Sequence, residues 1–188
     1  MKRPHDALRL DVSAFIADAE TLAGSWPGAS LQRLCELQTP PQDAPPPDVA
    51  WQAQGERLAV TGGEPELWLV LQAQAPVWLT CQRCLQPFAV PLALDRRIRF
   101  VRGEAQAEAL DAEIEDDVLA LSKSLDLREL IEDELLLALP IVPRHAACPQ
   151  PLPVALGSEP APDDPPERPN PFAALQRLKS STPDGEAG

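Results

Sequence analysis

No tyrosine occurs in the 188 residues, and four Trp and four Phe supply all the aromatic surface. A base-stacking platform has few residues to draw on; Trp78 and Phe100 could add one beside the clustered arginines, although either is more often core. Basic residues are scarce too, since 16 Lys and Arg stand against 29 Asp and Glu for a formal net charge of −13. Nucleic acid repels such a chain unless its bases cluster, which excludes broad coating of RNA or DNA but not one basic strip. Only two His are present, with no phosphate-binding glycine loop, nucleophile elbow or histidine–acid metal motif, so an enzyme is the weaker class. No window approaches the roughly 18 apolar residues of a membrane span. The opening MKRPHDALRLDVSAF also lacks the apolar run of a secretory signal, so a cytoplasmic protein without membrane contact is expected. Cysteines in such a compartment are reduced or metal-bound rather than a disulfide framework.

Proline, by contrast, is abundant, with 23 residues. TPPQDAPPPD (39–48) holds five of them and reads as a stiff surface loop. Before it, Phe15, Ile16, Ala19, Leu22 and Ala23 recur at helical spacing, with Asp11 or Ser13 as cap and Gly24 as stop. Residues 29–38 read as a strand with Leu31, Arg33, Cys35 and Leu37 on one face, which makes Cys35 a small core hydrophobe. Strand-like runs follow: VAWQAQ, ERLAV with a Gly62–Gly63 turn, ELWLVLQAQ, VWLTC beyond Pro76, and FAVPLALDRRIRFV. Residues 104–117 carry seven acids and no base, a solvated loop or frayed helix, and VLAL is a further short strand. In DLRELIEDELLLALP, Asp126 and Glu129 form a capping-box-like pair, and Leu127, Leu130, Ile131, Leu135 and Ala138 share a face. Glu134 projects into that face, so it must be neutralised, paired (an Arg is the ordinary partner) or at the rim; a working acid/base is the other reading.

Consecutive strands on short connections predict an α+β domain over residues 1–148: an antiparallel β-sheet, open or barrel-like, with two or three packed helices. Beyond it, 149–169 carries eight prolines and four acids and reads as a disordered linker in a flexible C-terminal arm. A short helix is expected over 170–179, begun by Asn170 and Pro171, with Phe172, Leu175 and Leu178 as an apolar stripe, before a disordered 180–188 tail. That helix would dock on the domain or on a partner.

Two constellations could carry chemistry. Cys81-x-x-Cys84 and His145-x-x-Cys148 each have knuckle spacing, and together they offer the four S and N ligands of a structural zinc. The other reading has Cys81 as a strand-end core residue and the second pair on a proline-rich tail. A redox role for Cys81 and Cys84 is disfavoured because the pair does not open a helix in a βαβ unit. The second constellation is Arg96, Arg97, Arg99 and Arg102 on one strand, joined by Arg83. It is either a phosphate-tracking strip on RNA or is neutralised internally by acids of 104–117 or Glu134.

CQRCLQPF, then EDELLLALPIVPRH with a nearby Cys, then RPNPFAALQRLK, occur in the order found in the bacterial YceD family (DUF177), which the chain resembles over most of residues 8–179. On that resemblance, the family's motifs fall on Cys81, Arg83 and Cys84; on Glu132, Asp133, Glu134 and Leu135; on Pro140, Pro143 and His145, followed by Cys148; and on Asn170, Pro171 and Phe172. The resemblance implies a role in synthesis, processing or stability of large-subunit (23S) ribosomal RNA, with no catalytic residue to carry over. The partner it implies is that RNA or its precursor, touched directly through the arginines or through a ribosomal protein held by the C-terminal helix. A zinc-dependent RNA-processing enzyme using Glu134 near the cysteines is the rival reading, and an adaptor anchored by Phe172 and Leu175 is the third. The chain departs from the family in its extra prolines at 40–47 and 149–169 and in a short acidic tail past Lys179.

Overall fold

The computed structural model describes residues 4–41 and 44–149. The linker, the 170–179 helix with Asn170, Pro171, Phe172 and Leu175, and the tail expected from the sequence lie outside the described residues. The elements run α1 (Val12–Asp18), β1 (Thr21–Trp26), a 3-10 turn (Gly28–Ser30), α2 (Gln32–Glu36), β2 (Val49–Leu58), β3 (Glu66–Thr80), β4 (Pro87–Val101), α3 (Glu104–Asp111), β5 (Asp117–Ala120) and α4 (Leu127–Leu137). Among the described residues no helix is long and apolar enough to cross a membrane.

The α+β class holds. The five strands form one sheet in the order β1-β2-β3-β4-β5. The first four are antiparallel, but β5 pairs parallel to β4, from Ile98↔Asp117 to Val101↔Ala120. Parallel pairing needs a crossover, and α3 supplies it from the acidic stretch, packing Ala107 with Val101 and Val118 as a small separate core. The sheet stays open, with β1 and β5 as its edges, and no barrel closes.

Strand alternation places Val49, Trp51 and Ala53, then Leu69, Leu71, Ala73, Ala75, Val77 and Leu79, then Leu92, Leu94, Ile98 and Phe100 on one buried face. Helices α1 and α4 cover that face with Val12, Phe15, Ile16, Leu127, Ile131 and Leu135. The α4 stripe is the one its 3.6-residue period predicts, and Asp126 caps it by accepting the N–H groups of Arg128 (2.9 Å) and Glu129 (3.2 Å). Asp11 caps α1 by accepting the Ala14 N–H at 3.0 Å.

Two assignments ahead of the proline-rich stretch change. The first helix stops at Asp18, where Ala19 turns left-handed (φ 49°), so Leu22, Ala23 and Gly24 belong to β1. Residues 29–38 are not a strand but a 3-10 turn followed by α2. Their buried positions are Leu31 and Leu34, three apart as on a helix, while Cys35 is only half-buried and Leu37 is exposed.

β3 and β4 run unbroken through their prolines because Pro76 and Pro91 face each other. Neither can donate an N–H, so the pair is of the non-hydrogen-bonded type and each ring points away from the partner strand. On those sides β2 has already ended, at Ala50↔Gln74, and β5 has not begun, since its pairing starts at Ile98.

Gly55 sets how closely α1 approaches β2: a Cβ there would lie 2.7 Å from Ile16 Cα and 3.0 Å from the Phe15 carbonyl oxygen, both backbone. Gly55→Ala should lower the unfolding free energy by about 1–3 kcal/mol through overpacking. Gly63→Ala, whose Cβ would meet nothing closer than 3.6 Å, should be near neutral. Equal urea midpoints for the two variants would show that this contact does not constrain the domain.

Candidate metal centre

The CxxC stretch is the connection of the β3–β4 hairpin. Cys81 closes the turn, donating its N–H to Gln86 O (3.0 Å) and accepting that of Leu85 (2.9 Å), and Leu85 turns left-handed (φ 59°). The segment after α4 returns to this tip, where the Gln82 N–H donates to Pro143 O at 2.9 Å. The His145 ring lies on Phe88, centroids 4.4 Å apart and tilted by 33°.

The two knuckles therefore meet. Cys84 Sγ is 3.4 Å from His145 Nδ1, and Cys81 Sγ is 3.9 Å from Cys148 Sγ. All four ligand atoms lie within 4.8 Å of one another, with Cys81 and Cys84 buried. The Cys81 sulfur accepts N–H groups from Arg83 (3.5 Å) and His145 (3.4 Å). Burial pushes the Cys81 thiol up, but the backbone N–H groups of His145, Cys84 and Arg83, with the His145 side chain, outweigh it and bring the pKa down to about 5. Burial and the two neighbouring sulfurs push Cys148 up. The other group of metal-type side chains among the described residues, His5 with Asp18 (3.0 Å) and Glu20 (3.8 Å), ties the start of the chain to the end of α1.

The arginine strand is matched largely by glutamates rather than left open. Arg96 lies on the core face between Leu94 and Ile98, and its Nε is 3.3 Å from Glu134 on α4. On the outer face Arg97 meets Glu56 at 3.2 Å and stacks over Trp68 (4.7 Å), while Arg99 meets Glu66 at 2.9 Å. Arg102 and Glu64 approach to 3.8 Å, both largely exposed. The partners come mainly from β2, β3 and the turn between them, not from 104–117. Phe100 takes the core reading and Trp78 is half-buried, while the ring beside these arginines is Trp68. Of the RNA candidates, only Arg83 has no ion pair among the described residues; it is exposed, as is Arg144 on the returning segment.

Glu134 takes the paired outcome. Burial raises its pKa, Arg96 opposes this, and Asp117 and Asp133 add to it. It also lies far from the cysteines: Arg96 is nine residues up β4 from Pro87, roughly 30 Å of strand path at ~3.3 Å per residue. The enzyme reading that placed Glu134 beside the cysteines has no support in this arrangement.

Sequence reasoning missed Glu132. This residue is 7% exposed and accepts the Leu34 N–H at 3.0 Å and two Arg33 donors at 3.3 and 3.2 Å. Arg33 also bonds Asp133. The available signal was a run of three acids beside a helix's apolar stripe, which requires cations from elsewhere in the chain.

The family model of the large ribosomal RNA subunit accumulation protein YceD matches residues 69–179. A Haemophilus influenzae protein named large ribosomal RNA subunit accumulation protein YceD is 32% identical over 121 residues, which is 62% of this chain and 68% of that relative. No solved structure matches the chain.

Because the folded-state pKa of Glu134 is raised, its carboxylate opposes folding at neutral pH, and this cost vanishes once acid protonates it in both states. Arg96→Met removes the opposing cation and should cost on the order of 1–3 kcal/mol at neutral pH, less than a fully buried pair because Arg96 is half exposed. The loss should shrink below the ordinary carboxylate range, and adding Glu134→Gln should recover part of it. Urea unfolding at both pH values checks this; an equal loss at each would refute the pairing.

Proposed function

The chain belongs to the YceD family of large ribosomal RNA subunit accumulation proteins, and from that premise we propose that it is a non-enzymatic ribosome-biogenesis factor. It acts in the cytoplasm on synthesis, processing or stability of the large-subunit ribosomal RNA, and touches that RNA with the β3–β4 hairpin tip. The observation that carries the contact is the distribution of arginine partners. Arg96, Arg97, Arg99 and Arg102 each have a glutamate. Arg83 and Arg144 are exposed, without ion pairs among the described residues, on two segments joined by the 2.9 Å Gln82–Pro143 hydrogen bond. In a chain of net charge −13, attraction to phosphate has to be local, and paired arginines supply little of it. The half-exposed Trp78, three residues before Cys81, adds a ring close to the tip. The candidate metal centre supports the non-enzymatic reading, because four protein ligands leave no coordination position for a reacting water.

Crosslinking in cells, with sequencing of the attached RNA, tests this. Arg83→Glu with Arg144→Glu should deplete large-subunit RNA from the crosslinks, and in vitro should cut the salt slope of binding by about 2. Arg97→Glu with Arg99→Glu should change binding less. Loss in the strand variant with an unaffected tip variant would reverse the assignment. Retention in both, with loss on deleting residues 168–188, would favour a protein partner held by Phe172 and Leu175.

A further inference from the structure

We propose that Cys81, Cys84, His145 and Cys148 bind one structural zinc ion that clips the segment after α4 onto the β3–β4 hairpin tip. The donor set is three sulfurs and one imidazole nitrogen, a standard closed zinc shell. The spacing fits as well. Zn–S bonds of ~2.3 Å and a Zn–N bond of ~2.0 Å in a tetrahedron put sulfurs about 3.8 Å apart and sulfur about 3.5 Å from nitrogen. The distances here are 3.9 Å for Cys81–Cys148 and 3.4 Å for Cys84–His145. A disulfide needs sulfurs about 2.05 Å apart, and all four cysteines are free.

The chain around the four ligands is arranged as a metal knuckle requires. Backbone N–H groups of Arg83 and His145 point at the Cys81 sulfur. Such donors hold a thiolate in place and offset its charge. The returning segment has little else to fix it. Residues 139–149 form no helix or strand, Ile141 is 99% exposed, and Val142 is 47% exposed. Its visible attachments to the tip, apart from the ligands, are the Gln82–Pro143 hydrogen bond and the His145–Phe88 ring contact. One hydrogen bond and one ring contact add little net stability, too little to order such a stretch against its conformational entropy. A metal bridge between the two segments provides the missing constraint.

On binding, each sulfur joins as a thiolate, any thiol proton still present passing to solvent as the S–Zn bond forms, His145 donates the Nδ1 lone pair, and no electron is transferred. With four protein ligands the ion is structural. The inference does not depend on the RNA-contact reading, and its experiment contains no RNA.

The test uses the full chain, purified without chelator from zinc-supplemented medium. Elemental analysis should find one zinc per chain, and a chelator should remove it while increasing the number of reactive thiols. Replacement by Co2+ should give the visible bands of a tetrahedral ion together with thiolate-to-metal charge transfer. Cys84→Ser with Cys148→Ser should abolish binding of either ion. Cys35→Ser should leave it intact, and His145→Cys, which keeps four ligands, should retain zinc while shifting the cobalt bands. Folded protein without stoichiometric zinc and without cobalt bands overturns the proposal, as does metal retained in Cys84→Ser with Cys148→Ser.

Discussion

A carboxylate cannot be buried alone, and α4 brings three acids in succession onto a hydrophobic sheet. Its apolar stripe, Leu127, Ile131 and Leu135, is fully buried and contributes about 1.5–3 kcal/mol per side chain on burial. Gaining that energy carries Glu132 and Glu134 toward the interior with the stripe. The helix can dock only where cations wait, so α2 supplies Arg33 to Glu132 and Asp133, and β4 supplies Arg96 to Glu134. One eleven-residue helix, marginal alone, thereby fixes three distant stretches of chain relative to one another. The short α2 has little other reason to hold its place: its one buried side chain is Leu34, whose N–H also bonds Glu132.

The second constraint is the length of the β3–β4 hairpin. Its arms of 15 residues each extend past the end of β2, and two facing prolines sit where their missing N–H groups leave no ladder bond unmade. β2 thus ends before the hairpin does, while Ala75, Val77 and Leu79 carry the buried face on toward the tip. The far end, built from Cys81–Gln86, lies beyond the α4 contacts and is met by the segment that follows α4. That separation lets the fold keep its charge-paired interior at one end and a cysteine–histidine cluster at the other.

How much was legible in the sequence follows the range of each interaction. Features written locally could be read: the period and cap of α4, the two knuckle-spaced pairs, and the need for a partner at Glu134. Failures came where the deciding contact is distant. Leu22 and Ala23 continue a helical period, but β1 forms because β2 offers an edge, from Thr21↔Gln54 to Trp26↔Val49. Residues 29–38 alternate plausibly as a strand, yet the Glu132 carboxylate that receives the Leu34 N–H lies about a hundred positions away in the chain, beyond any local pattern. The direction of β5 depends on α3 acting as a crossover, and an acidic eight-residue helix gives little apolar signal of that. The metal-type cluster was legible as two halves, and only the fold could show that they meet.

The same long-range pairing governs what an arginine-rich strand means. Four arginines within DRRIRFVR resemble a surface feature when read along the chain. Strand alternation sends Arg96 inward to a helix and leaves Arg97 and Arg99 outward, where Glu56 and Glu66 from neighbouring strands meet them. A matched pair about 3 Å apart presents little field beyond a Debye length of roughly 10 Å. Clustering in sequence is therefore a weak guide to electropositive surface in an acidic protein, because so many carboxylates compete for each cation. Arginines escape this competition where the local chain holds few acids. CQRCLQPF has none, nor does IVPRHAAC, and the fold brings these two stretches together. Positive charge on these two stretches thus follows from the lack of carboxylates within them, a property that a count of arginines along β4 could not reveal.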